Sequence, residues 1–371
     1  MVGDISPGTP QRGTPRDQYQ RTYVLLPPDH GATWATTALQ VFWNARRFTV
    51  GGSADDAGIG DLDFRRVIAV NPEAWGDDLR AFFDTYYPGI VYVPVQAAGP
   101  AALKAALEVL DLPPLFPPQP DPPRGLPRTP YARTYVLLSP QANADWAVAA
   151  LQATWDDRRF TIGGSADDAG VGDLDFRRVI AVNPEGWGDD LHAFLSQYYS
   201  GVMYVPITAL NTYQLAGRLQ ALCLHDRGFS LGYPTTRTSP YITDDFGVDR
   251  GTYFHSGIDL ASSWDKRGEE VLSATDGEVV VAGWNVSEPW YGYQVRVSYM
   301  LPDGREVLLR YAHFKSDADG GVYVQKHQQV QRGQKLGRPD STGESTGDHL
   351  HFDVKIGAGY VDPALLIDWP S

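Results

Sequence analysis

Along the first two thirds of the chain, short runs of consecutive apolar residues alternate with longer stretches in which apolar residues recur every three or four positions. The first kind reads as buried strands and the second as helices with one core-facing side. Thr22 to Leu26 predicts a strand, and the helix after it carries Trp34, Ala38, Leu39, Val41, Phe42 and Ala45 on one face. A short strand follows at Phe48 to Val50. The Gly- and Asp-rich loop GGSADDAGIGD then leads to a fully apolar strand, Val67 to Val70. Asn71 and Pro72 supply an N-cap and a first-turn proline for a second helix, whose Trp75, Leu79, Phe82, Phe83 and Tyr86 form its buried stripe. The strand IVYVPV and a third helix around Ala101 to Leu110 close the unit. Strands alternating with helices predict a layered α/β fold.

The whole unit recurs at a constant offset, Arg21 to Leu110 returning as Arg133 to Leu222. From Phe48 to Trp75 the copies differ only at Val50/Ile162, Ile59/Val171 and Ala74/Gly186. Between them, residues 111–132 are too proline-rich for helix or central strand and read as a semi-rigid spacer. A second linker, 226–238, is richer in Gly, Thr and Ser. Past it the pattern changes to short alternating strands, GEVVVAG, YQVRVSYM, REVLLRYAHF and HLHFDVKI, separated by Gly and Asp turns. That pattern predicts a mainly antiparallel β domain. The expected organisation is multidomain: a disordered segment over 1–20, tandem α/β repeats at 21–110 and 133–225, and a β domain at 239–371.

Composition narrows the function. The 371 residues, 43% of them hydrophobic, suffice for several cores. No run approaches the roughly 18 to 20 apolar residues that cross a bilayer, so no transmembrane segment is expected. The first twenty residues lack an apolar h-region, so no signal peptide is visible. A formal charge of −14 argues against nucleic acid as a partner, because that affinity rests on Lys and Arg neutralising phosphates. Cys223 is the single cysteine, which excludes an intrachain disulfide and leaves packing and bound metal to stabilise the chain. Oligomeric state is not legible.

Five of the eight histidines fall in the last third, and four of these lie within three short signatures. In His255-Ser-Gly-Ile-Asp259 an imidazole and a carboxylate can converge if Gly257 lets the backbone turn between them. In His349-Leu-His351, on a predicted strand, the two imidazoles share a face. Tyr311-Ala-His313 ends another strand, with His313 on the face of Tyr311 and Leu309. These ligand types suit zinc. Two further clusters read two ways each. Asp55, Asp56, Asp61 and Asp63, with Asp167, Asp168, Asp173 and Asp175 in the copy, are either Asx-rich turns or a calcium or ligand loop, although no EF-hand spacing is present. Trp284, Trp290, Tyr291 and Tyr293 either wall a groove or simply pack together.

The segments PYITDDFGVDRGTYFHSGIDLA, ATDGEVVVAGW, YAHF and GQKLGRPDSTGESTGDHLHFDV, in that order, resemble the metal-site segments of the M23 (lysostaphin-like, LytM-type) zinc endopeptidases. The resemblance covers roughly Ser239 to Asp362. It implies that His255, Asp259 and His351 hold a tetrahedral zinc with water in the fourth position, and that His313 and His349 act on that water and on the developing oxyanion. Two positions depart from the family: Asp340 replaces a glycine, and Asp348 replaces the proline before His349. Asp348 is either a solvated turn carboxylate or a group that stabilises a charged His349 or His351. The resemblance further implies a peptidoglycan peptide substrate and an extracellular or cell-wall location, with substrate-binding residues unknown. A catalytically silent module that binds or activates another wall hydrolase is the alternative, against which all five residues speak. The duplicated part resembles no family known to us; wall targeting is the role expected of it, with a spacer or folding-aid role and an unrelated small-molecule site as the alternatives.

Overall fold

A computed structural model describes residues 21–28, 30–42, 48–52, 64–76, 79–86, 89–110, 133–155, 160–164, 176–188, 191–198, 202–237, 241–261 and 269–370. The first segment, the proline-rich stretch 111–132 and the clustered aspartates of 53–63 and 165–175 lie outside them. The described chain falls into two compact units that divide between Thr212 and Tyr213.

In the first unit, β1 (Arg21–Leu25), α1 (Ala32–Phe42), β2 (Phe48–Gly51), β3 (Phe64–Val70), α2 (Leu79–Tyr86), β4 (Val91–Val95) and α3 (Pro100–Glu108) form a parallel sheet in the order β2-β1-β3-β4 with its helices. β5 (Arg133–Leu137), α4 (Ala144–Thr154), β6 (Phe160–Gly163), β7 (Phe176–Val182), α5 (Leu191–Tyr198) and β8 (Met203–Ile207) build a second parallel sheet in the same order, β6-β5-β7-β8. The unbroken apolar runs of β1 and β3 are explained by burial on both faces. Tyr23, Leu25, Val67 and Ala69 meet Phe82 and Phe83 of α2, while Val24, Ile68 and Val70 meet Ala35, Ala38 and Leu103 of α1 and α3. The α2 cluster also takes in Tyr135, Leu137, Val179 and Ala181 of the second sheet, so the two sheets share a core.

Asn71 differs from its expected role. It is no side-chain cap; its φ of 45° is left-handed, and its amide accepts from Ala97 N at 2.8 Å and donates to Ala97 O at 2.9 Å. Asn183 repeats this latch with Ala209 at a φ of 48°. Asparagine tolerates this backbone region and its amide satisfies both backbone groups of one residue. The following proline therefore opens only a 3-10 turn, Pro72–Trp75, and α2 begins later, at Leu79.

In the second unit α6 (Thr212–Asp226) precedes β9 (Ile242–Asp244), β10 (Gly257–Ala261), β11 (Val271–Leu272), β12 (Gly277–Trp284), β13 (Tyr293–Met300), β14 (Glu306–Phe314), β15 (Gln329–Val330), β16 (Lys335–Gly337), β17 (His349–Ile356) and β18 (Gly359–Val361). The large sheet is antiparallel, ordered β15-β12-β13-β14-β17-β10-β9 with β18 beside β17. Strand alternation divides its residues. Ile258, Leu260, Leu309, Tyr311, Leu350, Phe352 and Val354 enter the core, which leaves Asp259, Arg310, His349, His351 and Asp353 on the opposite face. The period-2 pattern of the sequence anticipates this sheet. It does not anticipate the place of α6, expected at the end of the second repeat but, from Tyr213 onward, part of the second unit. Leu215, Leu219, Ala221, Leu222 and Leu224 are all buried, so α6 is apolar on more than one side and its periodicity names no partner. Among the described residues no helix is long and apolar enough to cross a membrane.

Candidate metal centre

Antiparallel pairing of β10 with β17 sets Asp259 directly opposite His351 and Ala261 opposite His349. Both histidines of His349-Leu-His351 therefore share the face that Asp259 occupies, as expected. His255 sits just before β10, where its N–H donates to Val248 O at 2.8 Å. The three groups converge: His255 Nε2 lies 3.2 Å from Asp259 Oδ1 and 3.1 Å from His351 Nδ1, which is itself 2.9 Å from Asp259 Oδ1. Gly257, between His255 and Asp259, is not a turn glycine. It lies within β10, and a Cβ there would stand 2.2 Å from Phe352 O, so it permits close strand approach instead.

Outer hydrogen bonds fix the protons. His255 Nδ1 donates to Asp245 O at 2.8 Å, a carbonyl that can only accept, which leaves a lone pair on Nε2. His351 Nε2 donates to Asp353 Oδ2 at 3.2 Å, which leaves a lone pair on Nδ1. Two nitrogens and a carboxylate oxygen thus meet with no proton of their own between them, at exposures of 3% for His255, 8% for Asp259 and 5% for His351. Acceptors crowded in this way require a cation. Their separations approach the roughly 3.3 Å edge of a tetrahedron with bonds of about 2.0 to 2.1 Å, so the donor set fits zinc.

The surrounding charges agree. Burial pushes the Asp259 carboxyl up, but His255 and His351 hold it well below the usual carboxylate range. Arg250 Nη2 lies 3.2 Å from Asp259 Oδ2, opposite the atom that faces the imidazoles, and also pairs with Asp244. Burial pushes the His351 imidazolium down, yet Asp259 and Asp353 outweigh it and bring its pKa to about 9. Without metal, the site takes a proton where the cation would sit. Asp353, 1% exposed, forms an ion pair with Arg310 Nη1 at 3.4 Å. The Arg310 guanidinium lies 3.7 Å over the Tyr291 ring and 3.2 Å from Glu288, which also pairs with Arg296. Carboxylate support behind a metal-ligating histidine orients the ring and fixes its tautomer.

His313 departs from the expected face. It is the penultimate residue of β14 and has a φ of 63°, which breaks the alternation and turns its imidazole into the cleft, while Tyr311 stays in the core and accepts from Ala274 N at 2.7 Å. The His313 and His349 rings lie 4.7 Å apart. His313 Nδ1 donates to Thr342 O at 2.7 Å and His349 Nδ1 to Gly347 O at 2.8 Å, leaving Nε2 of each as an acceptor. His349 Nε2 is 3.6 Å from Asp259 Oδ1. Burial, followed by the neighbouring His349 and His351, pushes His313 down to about 4 against the bond to Thr342, so it is neutral at pH 7. The main chain of Asp340 ties the pair together, its N–H on His313 O at 2.8 Å and its carbonyl on His349 N at 3.2 Å.

All five histidine and aspartate groups line a cleft of about 990 Å³, with Tyr213, Arg250, Phe254 and Tyr360 among its walls. Of the four aromatics singled out by sequence, Trp290 and Tyr291 line this cleft, whereas Trp284 packs edge-to-face on Tyr293 at 5.5 Å. Asp353, Arg250 and Tyr213 were not singled out. Only Asp353 has a sequence signal, its position two residues beyond His351 on the same strand face.

Residues 253–363 match the model of peptidase family M23. Part of the chain is 32% identical over 145 residues to peptidoglycan DD-endopeptidase ShyB of Vibrio cholerae, covering 37% of this chain and 30% of that one. It is 29% identical over 126 residues to murein hydrolase activator NlpD of Escherichia coli, covering 34% and 29%. The chain thus spans about 30% of the length of these relatives. A zinc-containing peptidase of Vibrio cholerae is a structural neighbour at 28% identity and a TM-score of 0.30, covering 36% of this chain and 39% of that one.

Proposed function

We propose that this chain, whose residues 253–363 form a domain of peptidase family M23, is a zinc-dependent endopeptidase that cuts peptide bonds of bacterial peptidoglycan. The carrying observation is the convergence of His255 Nε2, Asp259 Oδ1 and His351 Nδ1, each imidazole having its other nitrogen committed to a fixed acceptor. Bound there, zinc supplies Lewis acidity towards the scissile carbonyl and the attacking water. His313 and His349 supply proton transfer. Each is anchored through Nδ1, so each offers Nε2 to the cleft. His313, held neutral by burial, accepts a proton from the attacking water at Nε2 and returns it to the departing amine, and the neighbouring His349, when protonated at Nε2, donates to the oxyanion. Arg250 and Asp353 hold Asp259 and His351 in place from outside.

Peptidoglycan is the proposed substrate because ShyB and NlpD are named for action on peptidoglycan or murein, and the corresponding location is the cell wall. Similarity to a hydrolase activator favours a second reading, a silent M23 module that acts through another enzyme. The two differ in one measurement. The purified chain is expected to hold one zinc, lost on changing His255, Asp259 or His351 to alanine; a chain that binds no added zinc would leave the silent module standing. For the first unit we propose wall targeting. Its two sheets share a core, so one body rather than two independently searching modules would engage the polymer.

A further inference from the structure

Helix α6 lies outside the residues that match the family model, yet it grips the backbone behind one metal ligand. Arg218 donates through Nε to Asp362 Oδ2 at 2.9 Å and through Nη2 to Asp245 Oδ2 at 2.9 Å. One end of this bridge is fixed. Asp362 is 1% exposed, its N–H donates to Gly217 O at 3.2 Å, and its Oδ1 caps the turn at Ala364 N at 2.9 Å. The other end is the residue whose carbonyl takes the Nδ1 proton of His255. The next residue, Phe246, is held by the same helix: Gln214 Nε2 donates to its carbonyl at 2.5 Å. Its ring fits against Gly217, where a Cβ would come within 2.3 Å. Tyr213 stacks on both Phe246 and Phe254, at 5.3 and 5.1 Å, and Phe254 immediately precedes His255.

We infer that α6 is a positioning element of the metal centre: Arg218, anchored on Asp362, holds Asp245 so that its carbonyl fixes the tautomer and ring plane of His255. This rests on the zinc reading of the site. The physical reason is that a ligand histidine free to rotate or to exchange its proton between nitrogens spends part of its time unable to bind, and outer partners of this kind typically carry about 10- to 100-fold in metal affinity. The helix thereby extends the working peptidase unit back to Tyr213. Tyr213, which also lines the cleft, is the point where that extension meets substrate.

The test uses the full chain loaded with cobalt(II), whose d–d absorption reports coordination geometry, and a chromophoric chelator to measure affinity. Arg218→Met is expected to lower cobalt affinity roughly 10- to 100-fold and to change the d–d spectrum. Because that change leaves Asp362 buried without its cation, Asp245→Asn serves as a second variant. It keeps the backbone carbonyl and removes only the anionic partner of Arg218, a side chain 46% exposed, and is expected to lower affinity in the same direction with an unchanged unfolding midpoint. A folded Asp245→Asn with affinity within twofold of the unaltered chain and an identical spectrum would overturn the inference. An unaltered chain that binds no cobalt would instead overturn the zinc reading beneath it.

Discussion

Changing Gly257 to alanine adds one methyl group and removes no ligand, yet it should disable the site. The new Cβ would stand 2.2 Å from Phe352 O and 2.8 Å from Asp353 Cβ. Close C–H···O contacts between strands run at about 3.3 to 3.6 Å, so β10 and β17 must part there by roughly 1 Å. Phe352 O is main chain inside a central pair of the sheet, and no rotamer change relieves it. The displacement falls between the strands that carry Asp259 and His351, whose donor atoms are 2.9 Å apart. A metal with bonds near 2.1 Å cannot follow a ligand that withdraws by half its bond length. Overpacking of this kind costs about 1 to 3 kcal/mol in stability, and misplacement by 1 Å costs about 10²-fold in rate. Zinc affinity measured by chelator competition and cleavage measured on the same preparation are expected to fall together, with the protein still folded by circular dichroism. A folded variant with unaltered zinc affinity and rate would refute the close-approach explanation of this glycine.

Three further outcomes follow from the same geometry. His313→Ala and His349→Ala are expected to retain zinc by elemental analysis while losing about 10²- to 10⁴-fold in hydrolysis; full turnover in both would remove them from the chemistry. The metal-free chain carries a proton on His351 up to about pH 9, so apparent cobalt affinity should rise about tenfold per pH unit between pH 6 and 9 and level off above, and a flat profile would contradict that proton. Because the folded pKa of His351 is raised above the ordinary 6.5, its contribution to metal-free stability is complete below pH 6.5 and lost as pH rises through 9, which unfolding midpoints of the chelated chain measure; an unchanging midpoint across that window would argue against it.

The strands and most of the site were legible because their signals are local. HxH on a strand puts both imidazoles on one face by backbone period alone, and the register of β10 with β17 then brings Asp259 opposite His351. The face of His313 is not legible in the sequence, because a left-handed φ at a non-glycine residue leaves no trace in composition. Gly257 stands out in the sequence, but a turn and a close approach select the same residue, so which of the two applies is not legible there. The partner of α6 was not legible. Its periodicity says that several sides are buried without saying against what, and the duplication pointed to the other unit. The Asp245 carbonyl behind His255 could not be found either, because a backbone acceptor has no side chain to mark it.

Digestion of purified peptidoglycan sacculi most directly decides whether this is a working zinc peptidase. The unaltered chain, the same chain treated with chelator and then resupplied with zinc, and His349→Ala would each be incubated with sacculi, and the released muropeptides analysed by mass. Release of peptide-cleaved fragments by the unaltered chain, lost with chelator, restored by zinc and absent with His349→Ala, is the expected result. Sacculi left intact by a zinc-loaded, folded chain would contradict it.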